Sequence, residues 1–247
     1  MKKLVLFLAL VATLVMLASC ENYESKITPL DGTSLSTYSA MVDNVELMGL
    51  QTADGKHITE PLYCSNKVFH GTVEMTYPGT GSCLYAVFDA FGKEIFPGKK
   101  LYVTGVNNPD SLSYLRLGTD DGDYLYFPDM KNKPLIGPMR GRETSVDSCG
   151  IYYRYGEKLY GFVNFSNIDI LEAPADHVYT YKVGDRGFVI AEHGKRGQQS
   201  YKKYELETGK FIGTTLNSND RALLAKAEAN RRASNLMISK TPTPESK

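Results

Sequence analysis

YAVFDAFGKEIFPGKKLY, residues 85 to 102, is the stretch whose reading decides the fold. It opens as an apolar strand, turns at Gly92, returns through a second strand carrying Ile95 and stops at Pro97. Glycine supplies the positive φ that a tight turn requires, and proline cannot donate to a strand ladder. Working outward, the same order recurs in MGLQTADGKHITEPLY (48 to 63), LYFPDMKNKPLIGPM (125 to 139) and YGFVNFSNIDILEAPADHVY (160 to 179). Aligned on the turn, Gly55, Gly92, Asn132 and Asn167 lie 37, 40 and 35 residues apart. Three residues past each comes a branched apolar residue, Ile58, Ile95, Leu135 or Ile170, and Pro61, Pro97, Pro138 or Pro174 closes the unit. Asparagine shares glycine's tolerance of positive φ, so this alignment predicts that Gly92→Asn is accepted far better than Gly92→Val. Two echoes, GFVIAEHGK (187 to 195) and YELETGKFIG (204 to 213), keep the turn but break the spacing.

A hairpin of this size cannot bury its apolar face alone and must stack on its neighbours. The expectation is therefore an all-β array of β-hairpin repeats over residues 38–216, solenoid-like or propeller-like, with ETGKFIG resembling the strand and turn of a propeller blade. Composition agrees, because 17 Tyr and 10 Phe suit pleated strands while 22 Gly and 11 Pro mark turns. DRALLAKAEANRRASNLM then predicts a C-terminal helix over 217–236, with Ser218, Asn219 and Asp220 as candidate N-caps, and a disordered tail over 237–247.

The N-terminus has a different character. Lys2 and Lys3 precede an apolar run from residue 4 to 16, too short for a bilayer span, and the order Leu17, Ala18, Ser19, Cys20 follows. This resembles a bacterial lipoprotein signal, which predicts removal of residues 1–19, lipidation of Cys20 and a membrane partner held through that lipid. Residues 20–37 read as an unstructured lipidated tether. The expected place is the cell envelope, with the outer membrane favoured in a Gram-negative host because residue 21 is Glu rather than Asp. Loss of the signal leaves 26 basic against 28 acidic residues, a balance that excludes nucleic acid as a partner.

At the hairpin units the chain resembles the bacterial WG-repeat proteins, whose unit runs Trp-Gly, strand, Asp-x-Gly-Lys, branched residue, proline, tyrosine. GLQTADGKHITEPLY and AVFDAFGKEIFPGKKLY carry the likeness best, within about residues 44 to 213. The chain has no Trp, and Tyr160 with Gly161, then Met48 with Gly49, stand nearest to the naming pair. The resemblance implies a repetitive β scaffold that binds something, and it brings no catalytic residues.

The search for chemistry is correspondingly thin. No GxSxG, HExxH, P-loop or GxGxxG is present. His57, His70, His177 and His193 have no ligand spacing, and Asp120, Asp121 and Asp123 in GTDDGDY read as an acidic hairpin turn before a calcium loop. Glu143 and Asp147 are carboxylates of the kind a glycosidase pairs, on a surface where acids are common. Lys195, Arg196, Lys202 and Lys203 read as a solvated strand face. After lipidation Cys64, Cys83 and Cys149 remain, and the Ser-Cys-aromatic context of Cys83 and Cys149 makes them the preferred disulfide. In IYYRYGEKLYG, alternation sets Tyr153 and Tyr155 on one face as candidate ligand-contact aromatics and Tyr152 on the other. The reading is a non-enzymatic envelope scaffold for a protein or a cell-wall glycan, with no catalytic residues, metal or cofactor. The alternative class is a propeller-type hydrolase or glycan-processing enzyme, which requires carboxylates gathered at one cleft.

Overall fold

The computed structural model describes residues 25–79, 83–108, 112–132, 134–195 and 197–238. The signal, Cys20 and residues 239–247 lie outside them. Two compact units divide the chain at residues 103 and 104, within strand β7. The first unit holds the sheet β1 (Ile27–Pro29), β2 (Leu35–Val42), β3 (Val45–Thr52) and the sheet β4 (Ser65–Phe69), β5 (Thr72–Thr76), β6 (Tyr85–Phe88). The third sheet joins β7 (Tyr102–Val106), β8 (Tyr114–Thr119), β9 (Gly122–Tyr126) and β10 (Leu135–Ile136). The fourth is β11 (Arg142–Val146), β12 (Gly150–Tyr155), β13 (Leu159–Asn164), and the fifth is β14 (His177–Val183), β15 (Arg186–His193), β16 (Ser200–Glu205), β17 (Phe211–Gly213). Helix α1 (Ser218–Ile238) follows. The protein is thus mostly β, built of antiparallel sheets with a C-terminal helix, and no described helix is long and apolar enough to cross a membrane.

The turn that recurs in sequence recurs in hydrogen bonds. At its head the N–H of Thr52, Asp89 or Asn164 donates to the carbonyl four residues on, of Lys56, Lys93 or Ile168, at 2.9, 2.9 and 3.1 Å. Gly55, Gly92 and Asn167 donate back to the head carbonyl at 3.0 Å in every case, with φ of +85°, +87° and +61°. Ile58, Ile95 and Ile170 then donate to Leu50, Val87 and Phe162. The head side chain closes each turn: Thr52 Oγ1 accepts from the Lys56 N–H, Asp89 Oδ1 from those of Phe91 and Lys93, and Asn164 Oδ1 from those of Ser166 and Ile168. Three residue types do one job, since each puts an acceptor oxygen within reach of the following amides.

The third unit corrects the alignment. Phe127 donates to Pro134, seven residues on, and Met130 donates to Phe127, so this loop is three residues longer. Asn132 sits inside that extension, and Ile136, which pairs with Leu125 and is buried, takes the place expected for Leu135. Counted by turn heads, the units fall at Thr52, Asp89, Phe127 and Asn164, intervals of 37, 38 and 37 residues. In the fifth sheet Glu205 donates to Lys210, one residue further than usual, so YELETGKFIG holds the true turn and GFVIAEHGK is only its neighbouring strand.

Alternation along the strands places the core between neighbouring sheets within each unit. In the first unit Leu35, Leu50 and Tyr63 pack with Val73, Met75, Ala86 and Phe88. In the second, Leu125, Phe127 and Ile136 meet Ile151, Tyr153 and Val163, while Phe162, Ile170 and Ala175 turn the opposite way onto Val189, Ala191 and Tyr204. The fourth sheet is therefore buried on both faces. Turns take part as well. A Cβ on Gly92 would collide with Ile58 and lie 3.3 Å from Leu35 Cδ2, whereas one on Gly55 meets nothing within 4 Å. This adds a steric cost that Gly92→Asn and Gly92→Val share, while the left-handed φ of Gly92 keeps the expected order of the two. Gly55→Asn should cost under about 1 kcal/mol and Gly92→Asn about 1–3 kcal/mol. Equal urea midpoints for the two variants would refute this.

Three further expectations change. Residues 27–37 are not tether: Ile27 pairs with Tyr38, Leu30 and Leu35 are buried, and Gly32 at φ +75° turns the chain between β1 and β2. Its Pro and Gly read as linker, yet they flank apolar residues that a sheet can use. Cys64, Cys83 and Cys149 are all free thiols, so Cys83 and Cys149 are not bridged. Cys149 is buried against the fourth-to-fifth sheet core, and its N–H donates to Asp147 Oδ1 at 2.7 Å, while Cys83 is exposed. The helix N-cap is Asn217, one residue ahead of the candidates, because its Oδ1 accepts the Asp220 N–H at 2.9 Å.

Glu74, on β5 between Lys67 and Val87, is 3% exposed and has no partner for Oε1. Burial raises its carboxyl pKa above the usual range, and Lys67 opposes this only in part. A raised folded value means that this group's contribution to stability is fully present below the ordinary carboxylate range and is lost as pH rises through the folded value. Glu74→Gln should then stabilise the protein at pH 7 by on the order of 1 kcal/mol and flatten the loss as pH rises through the folded value of the Glu74 carboxyl. A destabilised variant would contradict this.

Candidate functional site

The clearest candidate is a cleft of about 310 Å³ in the second unit, between the loop after β10 and the outer part of the fourth sheet. Residues 137–140 form one wall, and Tyr153 of β12, Val163 of β13, Asn167 and Asp169 form the other. The wall is pinned by the turn residue Asn167. Its Nδ2 donates to the Gly137 carbonyl and its Oδ1 accepts the Gly137 N–H, both at 3.0 Å. This explains why Asn stands where Gly55 and Gly92 stand in other units: it accepts the same φ and adds a clamp. Gly137 is equally constrained, since a Cβ would lie 2.7 Å from Tyr124 Cδ1 and 2.9 Å from the Asp123 carbonyl.

Inside the cleft the polar groups converge on Asp169. Its Oδ2 accepts the Tyr153 hydroxyl at 2.8 Å and lies 3.1 Å from Arg140 Nη1, while Oδ1 is buried without a partner. Burial, then hydrogen bonding to Tyr155 and Asp169, pushes the Tyr153 phenol well above its ordinary pKa, so it remains a donor. The Arg140 side chain is 69% exposed at the mouth. Pro138, Met139 and Val163 supply apolar surface. The arrangement holds one fixed cation beside an apolar hollow, which suits recognition of a small polar ligand.

Tyr153 is brought to this site, but not as an exposed stacking ring. It is 2% exposed, and its ring lies across Gly161 on the neighbouring strand, so its face is core and only its hydroxyl serves the cleft. Tyr155 packs half-buried beside it. Arg140, Asn167 and Asp169 were missed by the sequence reading, and the one visible signal was the replacement of Gly by Asn at the turn.

Other flagged residues have structural partners. Asp120 and Asp121 form the turn between β8 and β9, and Asp123 lies 3.7 Å from Arg116 Nε. Glu143 pairs with Arg116, and Asp147 holds the turn before β12 while accepting from Tyr152 and Thr180. His57 stacks on Tyr38 at 3.9 Å, and His70 takes positive φ in the turn after β4. The expected solvated basic face divides, since adjacent strand residues point oppositely. Lys202 reaches Glu172 at 3.0 Å, Lys203 is buried against Asp220, and Arg196 lies outside the described residues. A second hollow of about 250 Å³ lies in the first unit, lined by Lys26, Tyr38, Glu46, Met48, Cys64 and Asn66 among others.

No family model and no curated protein matches the chain. Among solved structures it is similar to one described as the structure of Kluyveromyces lactis Hsv2p, at 11% identity and a TM-score of 0.24. The match covers 76% of this chain and spans 62% of that one. A likeness this slight carries no argument about fold or function.

Proposed function

We propose that the chain is a lipid-anchored envelope protein, a degenerate relative of the WG-repeat proteins, acting as a non-enzymatic scaffold that binds a cell-wall glycan or an envelope protein. Its hairpin units stack as a solenoid-like or propeller-like array, and its ligand site is the cleft around Arg140 and Asp169. The observation that carries this reading is the contrast between that cleft and the rest of the array. Elsewhere the flagged side chains close turns or fill cores, whereas Arg140 is exposed at a hollow and oriented by a carboxylate. Glycoside hydrolysis uses two carboxylates across the scissile bond. Among the described residues Asp169 is the one carboxylate lining this cleft, and Tyr153 and Arg140 already engage it, which favours binding over hydrolysis.

Two experiments test the proposal. Metabolic labelling with a fatty acid should mark the wild type and miss Cys20→Ser, and equal labelling would remove the anchor. Sedimentation with purified, insoluble cell-wall glycan should carry the wild-type protein down and leave Arg140→Ala largely in solution. No sedimentation, or no difference between the two, would refute the cleft as a glycan site.

A further inference from the structure

Resting on that reading, we infer that the cleft takes a sugar bearing a carboxylate, with the Arg140 guanidinium as the group that recognises the anion. The donors of the cleft can be followed one by one. Both ends of the Asn167 amide are used on Gly137, and the Tyr153 hydroxyl is committed to Asp169. Among the described side chains that line the cleft, Arg140 is the one with N–H groups to spare, because a guanidinium has five and the contact with Asp169 runs through Nη1.

That contact anchors one end of the guanidinium at the cleft mouth. A guanidinium held at one edge by a carboxylate presents its other edge outward, and the partner that matches a planar fork is a second carboxylate accepting two parallel hydrogen bonds. Apart from the unpartnered Asp169 Oδ1, which a sugar hydroxyl can satisfy, Pro138, Met139 and Val163 make the rest of the hollow apolar, suited to the C–H face of a compact ring.

Two cell-wall sugars form a matched pair for the test, since N-acetylmuramic acid is N-acetylglucosamine with an added lactyl carboxylate. Calorimetric titration of each into the full chain in detergent should give about tenfold or greater preference for N-acetylmuramic acid, the scale of one charge-assisted contact. Arg140→Ala, with its folding verified by a cooperative melting transition, should reduce N-acetylmuramic acid to the level of N-acetylglucosamine. Arg140→Lys should restore only part of the preference, because an ammonium lacks the fork. Equal affinity for the two sugars overturns the carboxylate assignment while leaving a glycan site in place. Failure of both sugars to bind a protein that still sediments with cell-wall glycan overturns this inference and spares the proposed function. Failure of both sugars and of sedimentation overturns the two together.

Discussion

Asp220→Ala is expected to lower stability by about 3–5 kcal/mol, the usual cost of leaving one member of a buried ion pair without its partner. Asp220 is fully buried and Lys203 is 6% exposed, with Lys203 Nζ at 2.9 and 3.1 Å from the two carboxylate oxygens. The Tyr181 hydroxyl also donates to Asp220, and the Lys203 ammonium lies 4.3 Å from the centre of the Phe188 ring. The same carboxylate begins helix α1: Asp220 Oδ2 accepts the Asn217 N–H at 2.8 Å while Asn217 Oδ1 accepts the Asp220 N–H, a reciprocal cap. Truncation removes the Asp220 half of the cap and strands an ammonium in the core at once. Lys203→Met combined with Asp220→Asn removes both charges and keeps the cap acceptor, so it should recover most of the loss. Urea unfolding of the single and double variants measures the difference, and equal losses in both would mean that the charge pair is not the cause.

The pH dependence of this pair has a definite sign. Burial pushes the Asp220 carboxyl up, but the hydrogen bonds from Tyr181, the Asn217 N–H and Lys203 outweigh it and hold the group below the usual carboxylate range. A depressed folded value contributes stability above the ordinary range and loses it as pH falls through the folded value. Asp220→Asn should accordingly show a shallower loss of stability in acid than the wild type.

Lys203 shows where sequence reading stops. Residues 202 and 203 are adjacent lysines, and nothing in the chain says that the second reaches a carboxylate 17 positions later at the start of a helix. The turns were legible because their requirement is local. Gly55, Gly92 and Asn167 announce positive φ, and the branched residue three places on follows from the return of the strand. The third unit was misread because its loop is longer and holds an Asn that mimics the turn residue, so the anchor slid by two positions onto Asn132. The cleft was illegible for a related reason. Arg140, Tyr153 and Asp169 come from a loop, a strand and a bridging segment, and only the packing of the third sheet on the fourth brings them together. Sequence alternation did separate Tyr152 from Tyr153, but it could not say that the fourth sheet is covered on both faces.

The dipeptides nearest to the missing Trp-Gly pair give the last expectation. Gly49 lies opposite Tyr38 and Gly161 opposite Tyr153, and a Cβ on either would run into the ring across the strand, 2.6 Å from the hydroxyl oxygen in both cases. Neither glycine has a left-handed φ, so its role is space alone. Each tyrosine crosses its glycine to reach the segment beyond: Tyr38 donates to the Thr59 carbonyl at 2.7 Å and Tyr153 to Asp169 at 2.8 Å. The glycine is thus the floor under a ring that ties two strands to the segment beyond them. Gly161→Ala should cost about 2–4 kcal/mol, since the buried Tyr153 has no room to move and overpacking shifts ring and strand together. Tyr153→Ala should cost about 3–5 kcal/mol by cavity formation. The two losses are not independent, because the alanine at 161 fills part of the space the ring vacates. The double variant should be more stable than the sum of the singles predicts by about 2 kcal/mol. Chemical denaturation of the four proteins in this cycle measures the coupling, and additivity within about 0.5 kcal/mol would show that Gly161 is not held open by Tyr153.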